Sequence, residues 1–320
     1  MKRISLGIVL FALLWLAACS QEDSLSSSKI LIDISSSTEV LVSSSSKVEE
    51  SSSSSAKMSS SAGVSSSEIM SSSIALSNSS ALQDSLYEWS WDVPKEARLN
   101  PDIAYDSITD ARDGKVYKTV AIGDQVWMAE NLNYADSVQT ASLLERSWCF
   151  DDVPEHCDVT GRLYTWAAAI DSVALANDAE NPMDCGCMKS CNLVEPVQGI
   201  CPDGWHLPSR EEWLSLIAAV GENPSAVLTL RSSSGWGYAN GSNTVGFTML
   251  PGGQKQDDFY ISACAYFWTS STSPEDKHGD DAYRVGTFDF PKTRFPATHS
   301  MGVNEYGFKA SGMSVRCVKD

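Results

Sequence analysis

Cys201-Pro202-Asp203-Gly204-Trp205-His206-Leu207-Pro208-Ser209-Arg210-Glu211-Glu212-Trp213 carries the chain from a turn into a helix. Ser209 and Glu212 form a capping box: the serine accepts from the backbone near Glu212, and the glutamate reaches back. Trp213, Leu216, Ile217 and Val220 recur at intervals of three, four and seven, so they share one face of an amphipathic helix. Gly221 ends it, and Pro208 suits a chain arriving from extended structure. His206 lies between two apolar residues and reads as a packed, hydrogen-bonded histidine rather than a base. Glu211 and Glu212 are explained by the cap and the helix dipole.

On either side the pattern changes to short strands and turns. Lys115–Ile122 is β-rich, Gly123-Asp124 follows, and Gln125-Val126-Trp127-Met128 comes next; this predicts a hairpin. A second helix is expected from Tyr164 to Ala169. After Trp236 the chain is Gly-rich, with short strands around Gly246–Gly253 and Tyr266–Ser271 and a last one near Ser314–Val318. Few helices and many loops make a loop-rich α+β domain over 87–320, long enough for one core.

Eight of the nine cysteines lie in this domain. In an exported chain an even set predicts a disulfide framework, drawn from Cys149, Cys157, Cys185, Cys187, Cys191, Cys201, Cys264 and Cys317. Eight cysteines allow 105 pairings. Cys149 and Cys157 flank a short acidic loop and are the best local pair. Cys185 and Cys187 are too close to bond each other easily; with Cys191 they are expected to look mostly elsewhere, to Cys264, Cys201 or Cys317. Zinc is the weaker reading of Cys185-Gly186-Cys187 with Cys191, because the spacing is unusual and no histidine is close. No metal ligand set is expected.

Nine of the ten tryptophans also fall here, mostly inside apolar patterns that read as core. Trp148 and Trp236, the latter flanked by Gly235 and Gly237, are expected to be partly exposed and are the candidate ligand contacts, since an aromatic face stacks on a sugar ring. His156, His278 and His299 lie in polar loops without a nucleophile partner. No nucleophile elbow, phosphate loop or His-Glu-x-x-His run occurs, and no catalytic residue is assigned. The net charge of −18 leaves about −16 on the folded part after the leader and linker are set aside. That balance repels phosphate backbones and argues against nucleic acid.

Upstream, residues 21–80 are dominated by blocks of serine, and the first aromatic residue after the leader is Tyr87. Such a stretch cannot bury enough surface to offset its conformational entropy, and it is expected to be a disordered tether. A coil of about sixty residues spans roughly 40–45 Å. Lys2 and Arg3, the apolar run Ile4–Trp15 and Leu16-Ala17-Ala18-Cys19 are laid out as a lipoprotein signal. The apolar run is short for a membrane span. The expected organisation is 1–18 signal peptide, 19–86 lipidated Cys19 plus linker, and 87–320 globular. Ser20 follows the cysteine, with no Asp to favour inner-membrane retention. The expected location is therefore the outer membrane or cell surface, with the lipid anchor as membrane partner. The bland alternative is an ordinary secretory signal with Cys19 incidental.

Several blocks occur in a familiar order: Asp113-Gly114-Lys115-Val116-Tyr117, Trp127-Met128-Ala129-Glu130-Asn131-Leu132, Gly161-Arg162-Leu163-Tyr164-Thr165-Trp166, Cys201 to Ser209, Leu250-Pro251-Gly252-Gly253, Phe267-Trp268-Thr269-Ser270-Ser271 and Ser314-Val315-Arg316-Cys317. Together these closely resemble the Fibrobacter succinogenes major paralogous domain over about 113–320. The resemblance implies a fold like C-type lectins and the formylglycine-generating enzyme, and chains of this family are commonly lipoproteins with serine-rich linkers. It does not carry over either activity. The enzyme's copper site takes two cysteines near the end of the chain, where this one has only Cys317. Calcium-dependent lectins pair Glu-Pro-Asn or Gln-Pro-Asp with Trp-Asn-Asp; here Val197 follows Glu195-Pro196, and Trp-Asn-Asp is absent. Calcium on Asp151-Asp152, Asp257-Asp258 or Asp280-Asp281 is the one cofactor with suitable chemistry, though acidic pairs in loops are usually solvated and none is expected.

The function expected from these features is a tethered, non-catalytic binding module for a polysaccharide or a surface protein. The alternatives are a purely structural envelope protein and an enzyme with an unrecognised site.

Overall fold

The computed structural model describes residues 89–221, 225–237, 240–272, 279–288 and 301–320. Cys19, the serine-rich linker, His278 and His299 lie outside them. The predicted hairpin forms. Strand β1 (Asp106–Thr109) pairs with β2 (Val116–Ile122), which turns through Gly123 and Asp124 into β3 (Gln125–Met128). Val120 faces Trp127 in the register, and both are buried. Gly123 takes φ 60°, and a Cβ there would stand 2.9 Å from Ala219, so the turn and the helix behind it both call for glycine.

Strand β4 (Ser147–Trp148), helix α1 (Pro154–Thr160) and β5 (Leu163–Tyr164) come next. Helix α2 (Trp166–Ala169) begins two residues later than its sequence suggests, because Tyr164 is committed to β5 and Thr165 caps the helix by accepting from Ala168 N. After α3 (Ser172–Ala176) and β6 (Trp205–His206), α4 (Arg210–Val220) carries the predicted capping box in full. Trp213 on its buried face packs against Trp127, Phe247 and Phe267, with ring centroids 4.8, 5.8 and 5.2 Å away. Helix α5 (Ser225–Leu230), the hairpin of β7 (Gln254–Gln256) and β8 (Phe259–Ile261), and the long strands β9 (Cys264–Thr272), β10 (Asp281–Phe288) and β11 (Gly302–Phe308) follow. No helix among the described residues is long and apolar enough to cross a membrane.

The single strand expected near Ser314–Val318 is two strands. Met313–Ser314 (β12) and Val318–Lys319 (β13) belong to different sheets. One sheet runs β1-β2-β3-β13-β6; the other runs β11-β10-β9-β12-β5-β4. Each of these two-residue strands is therefore an inner strand, and the chain crosses from one sheet to the other at Val315–Cys317. Strand β9 lies between two apolar clusters. Ala265 and Phe267 enter the one built on Trp127 and Trp213, while Cys264, Tyr266 and Trp268 enter the one built on Tyr164 and Trp166. Burial on both faces explains its unbroken apolar run.

Among the described residues, bridges join Cys149–Cys157, Cys185–Cys191 and Cys201–Cys317. Two expectations need correcting. Cys185 does not look far afield: a tight turn returns the chain, through a Gly186–Lys189 bridge, and brings Cys191 within reach. Cys264 is not bridged. It is a buried free thiol facing the apolar cluster, and burial pushes its pKa up to about 12.

Candidate functional site

A groove of about 480 Å³ runs between residues 91–96 and helix α1, over the hairpin strand β2. Arg98 fastens the first wall. Its guanidinium lies 4.4 Å over the Trp89 ring and donates to Ser90 O at 2.8 Å and to Ser234 Oγ. This positions Trp91, half-buried, flat on His156 at 3.7 Å between ring centroids, with Phe150 5.4 Å away. The Nδ1 of His156 in turn meets the Phe150 carbonyl at 2.8 Å, so that nitrogen carries the proton and the ring is held as a platform.

The groove floor is polar. Lys95 reaches Glu130 at 2.8 Å, and Glu130 also accepts from Lys118 N. Asn133 donates its N–H to the Tyr117 hydroxyl at 3.1 Å. Asp92, Glu96, Glu155 and Asp158 stand exposed along the rims. Lys95, Asn133 and Val159 also line a smaller cavity of about 20 Å³ that leads inward past Glu130 to Asn131. Behind it sits Arg316, with no exposed surface. It donates to Asn131 Oδ1 through Nε at 3.0 Å and to the carbonyls of Phe247 and Thr248. Burial pulls this guanidinium down to about 9, which leaves it charged at neutral pH.

The expected ligand residues separate here. Trp148 is half-buried beneath Lys255, whose Nζ lies 5.3 Å over its ring and 4.3 Å over Tyr260. Trp236 is only 1 % exposed, which removes it as a ligand contact. Its Nε1 donates to Ser232 Oγ and Met249 O, and Arg231 covers its ring at 3.9 Å. The neighbouring glycine marks close packing rather than a loop tip: a Cβ on Gly235 would stand 2.8 Å from Arg98. Among the described residues no three His, Cys, Asp or Glu side chains gather as a metal set. The acidic pair at Asp151-Asp152 is used within the fold, where Tyr260 donates to Asp152 at 2.7 Å. Trp91, Glu130, Asn131 and Arg316 carry no site pattern of their own in the sequence. The last three lie in the blocks that carry the family resemblance, and that was the one signal available.

His206 lies outside both cavities. Its Nε2 meets Glu212 Oε1 at 2.8 Å and its Nδ1 meets Asp320 Oδ1 at 2.7 Å, so both nitrogens face carboxylates. Burial alone would lower its pKa, but the hydrogen bonds to Glu212 and Asp320 outweigh it and hold the ring above its ordinary 6.5. Burial would raise Glu212, yet its bonds to His206 and Ser209 hold it below 4.5. The stability that His206 contributes is thus present below pH 6.5 and lost as pH rises through the raised value. Glu212's contribution is present above pH 4.5 and lost as pH falls through the lowered one. The stability gap between the native chain and His206→Asn is expected to be widest between pH 4.5 and 6.5 and to shrink on the alkaline side. Urea titrations across pH check it; a gap that grows above pH 7 would contradict it.

The α+β domain, its two sheets closed by one crossing segment, matches a known family. Residues 120–319 match the Fibrobacter succinogenes major domain, and the chain belongs to that family. No curated protein and no solved structure matches it. Trp91 and Lys95 precede the matched region, so one wall of the groove is supplied from outside it.

Proposed function

We propose that this chain is an exported lipoprotein that displays a non-catalytic binding module. In this reading Cys19 carries the acyl anchor at the outer membrane or cell surface, and residues 21–80 act as the tether. The lectin-like fold class belongs to the same proposal and rests on the shared motif order. The observation that carries it is the groove: an aromatic platform, Trp91 on His156, beside rims of carboxylates and a lining that includes Lys95, Tyr117 and the Asn133 amide. Aromatic faces with a few placed polar groups are the usual means of holding a sugar chain. The groove's lysines favour holding over reacting, since Lys95 is taken by Glu130 and Lys115 by Asp113 at 2.7 Å. A polysaccharide is the ligand class this chemistry suits best, with an envelope protein second.

Native affinity electrophoresis of the full chain against soluble polysaccharides tests this. At least one is expected to retard the protein, and Trp91→Ala is expected to weaken that retardation about tenfold, the scale of one lost aromatic contact. If no polysaccharide retards the chain, or if Trp91→Ala binds as the parent does, the reading fails.

A further inference from the structure

Arg162 opens β5 from the Gly161 turn and lays one nitrogen across a disulfide. Its Nη1 stands 3.4 Å from Cys149 Sγ and 3.6 Å from Cys157 Sγ. The rest of the fork is held by Ser147, whose carbonyl accepts from Nη2 at 3.2 Å and whose Oγ accepts from Nε at 3.4 Å. All four contacts go to neutral partners, so the cation has the two sulfurs as its nearest site for a developing negative charge. Both residues of the bridge are buried but not sealed off: Cys149 is 8 % exposed and Cys157 4 %, whereas Cys201 and Cys317 are fully enclosed.

We infer that Cys149–Cys157 is a thiol-exchange site, open to a low-molecular-weight thiol of the glutathione type. The incoming thiol gives its proton to solvent and attacks Cys149 Sγ, the sulfur of the more exposed residue. As the new S–S bond forms, the old one breaks, and its electron pair leaves on Cys157 as a thiolate facing Arg162. A second thiolate then attacks the mixed disulfide at the incoming thiol's sulfur. Cys149 leaves as a thiolate, both cysteines take up protons, and the two small thiols depart as their own disulfide. Thiolate stability at the leaving sulfur speeds such exchange, and an adjacent cation supplies it. Opening the bridge would also release the loop that presents His156 to Trp91. That consequence rests on the groove being the binding site; the exchange does not.

The test is made on the full chain, exposed to excess reduced glutathione at mildly alkaline pH, quenched with an alkylating agent and mapped by mass spectrometry. The opening rate of Cys149–Cys157 is expressed relative to that of Cys185–Cys191 in the same molecules, which corrects for any general loosening. Arg162→Gln is expected to lower that ratio about threefold, the effect of one pKa unit at the leaving thiol when the Brønsted slope is about one half, while Arg162→Lys, which keeps the charge, restores most of it. An unchanged ratio in Arg162→Gln would overturn the inference, as would a Cys201–Cys317 bridge that opens as early as Cys149–Cys157. The readout is covalent mass, so absence of a polysaccharide ligand does not affect it.

Discussion

Replacing Cys201 and Cys317 together by alanine is expected to cost about 5 kcal/mol, against about 2.5 kcal/mol for the matching change at Cys149 and Cys157. The difference is loop length. One bridge joins residues 116 apart in sequence and the other joins residues 8 apart, and longer closed loops restrict the unfolded chain more. For a domain of this size the larger loss corresponds to roughly 10–20 °C in Tm. Topology points the same way. Strand β13 is an inner strand with only two residues, held by β3 on one side and β6 on the other. Its backbone reaches the rest of the sheet late in sequence, and the Cys317 carbonyl accepts from Met128 N beside the bridge. Without the covalent tie, β6 loses the neighbour that attaches it to the sheet. Calorimetry on the two double variants decides the matter; equal losses would mean that loop length is not what the bridge contributes.

Much of the frame was legible because its signals are local. The Ser209–Glu212 box, the Gly123-Asp124 hairpin and the Cys149–Cys157 loop each lie within a few residues, where capping, turn chemistry and short closure act. The missed features need residues far apart. A strand of two residues carries no alternation, so Met313–Ser314 and Val318–Lys319 read as one element although they serve two sheets. Glycines beside Trp236 read as a loop tip, but Gly235 is there because Arg98 and Trp89 pack against it from more than a hundred residues away. The groove was invisible for the same reason. Trp91 and His156 lie far apart in the sequence, on either side of the hairpin, and become a stacked pair only because Arg98 pins the incoming chain.

Arg316 shows what the crossing between the sheets demands. It sits between β12 and β13, fully enclosed, and among the described residues Asn131 is its one side-chain acceptor. Asn131 is itself saturated: its Nδ2 donates to Thr160 O at 2.8 Å and to Ser314 Oγ at 3.3 Å. One amide therefore joins the end of α1, strand β12 and the buried guanidinium. Asn131→Leu is expected to cost 3–5 kcal/mol, roughly the loss seen when a buried charge is stripped of a partner. Adding Arg316→Met to Asn131→Leu should return about 1–2 kcal/mol, because removing the charge removes most of the uncompensated burial and leaves the neutral Phe247, Thr248 and Thr160 carbonyls short of a donor. The two substitutions are thus predicted to be strongly non-additive, and urea denaturation of the two single variants and the double variant measures the coupling. If the double variant loses the sum of the single losses, the crossing is held by packing alone, through Phe247 and Phe267, whose rings lie 4.3 and 5.4 Å from the guanidinium.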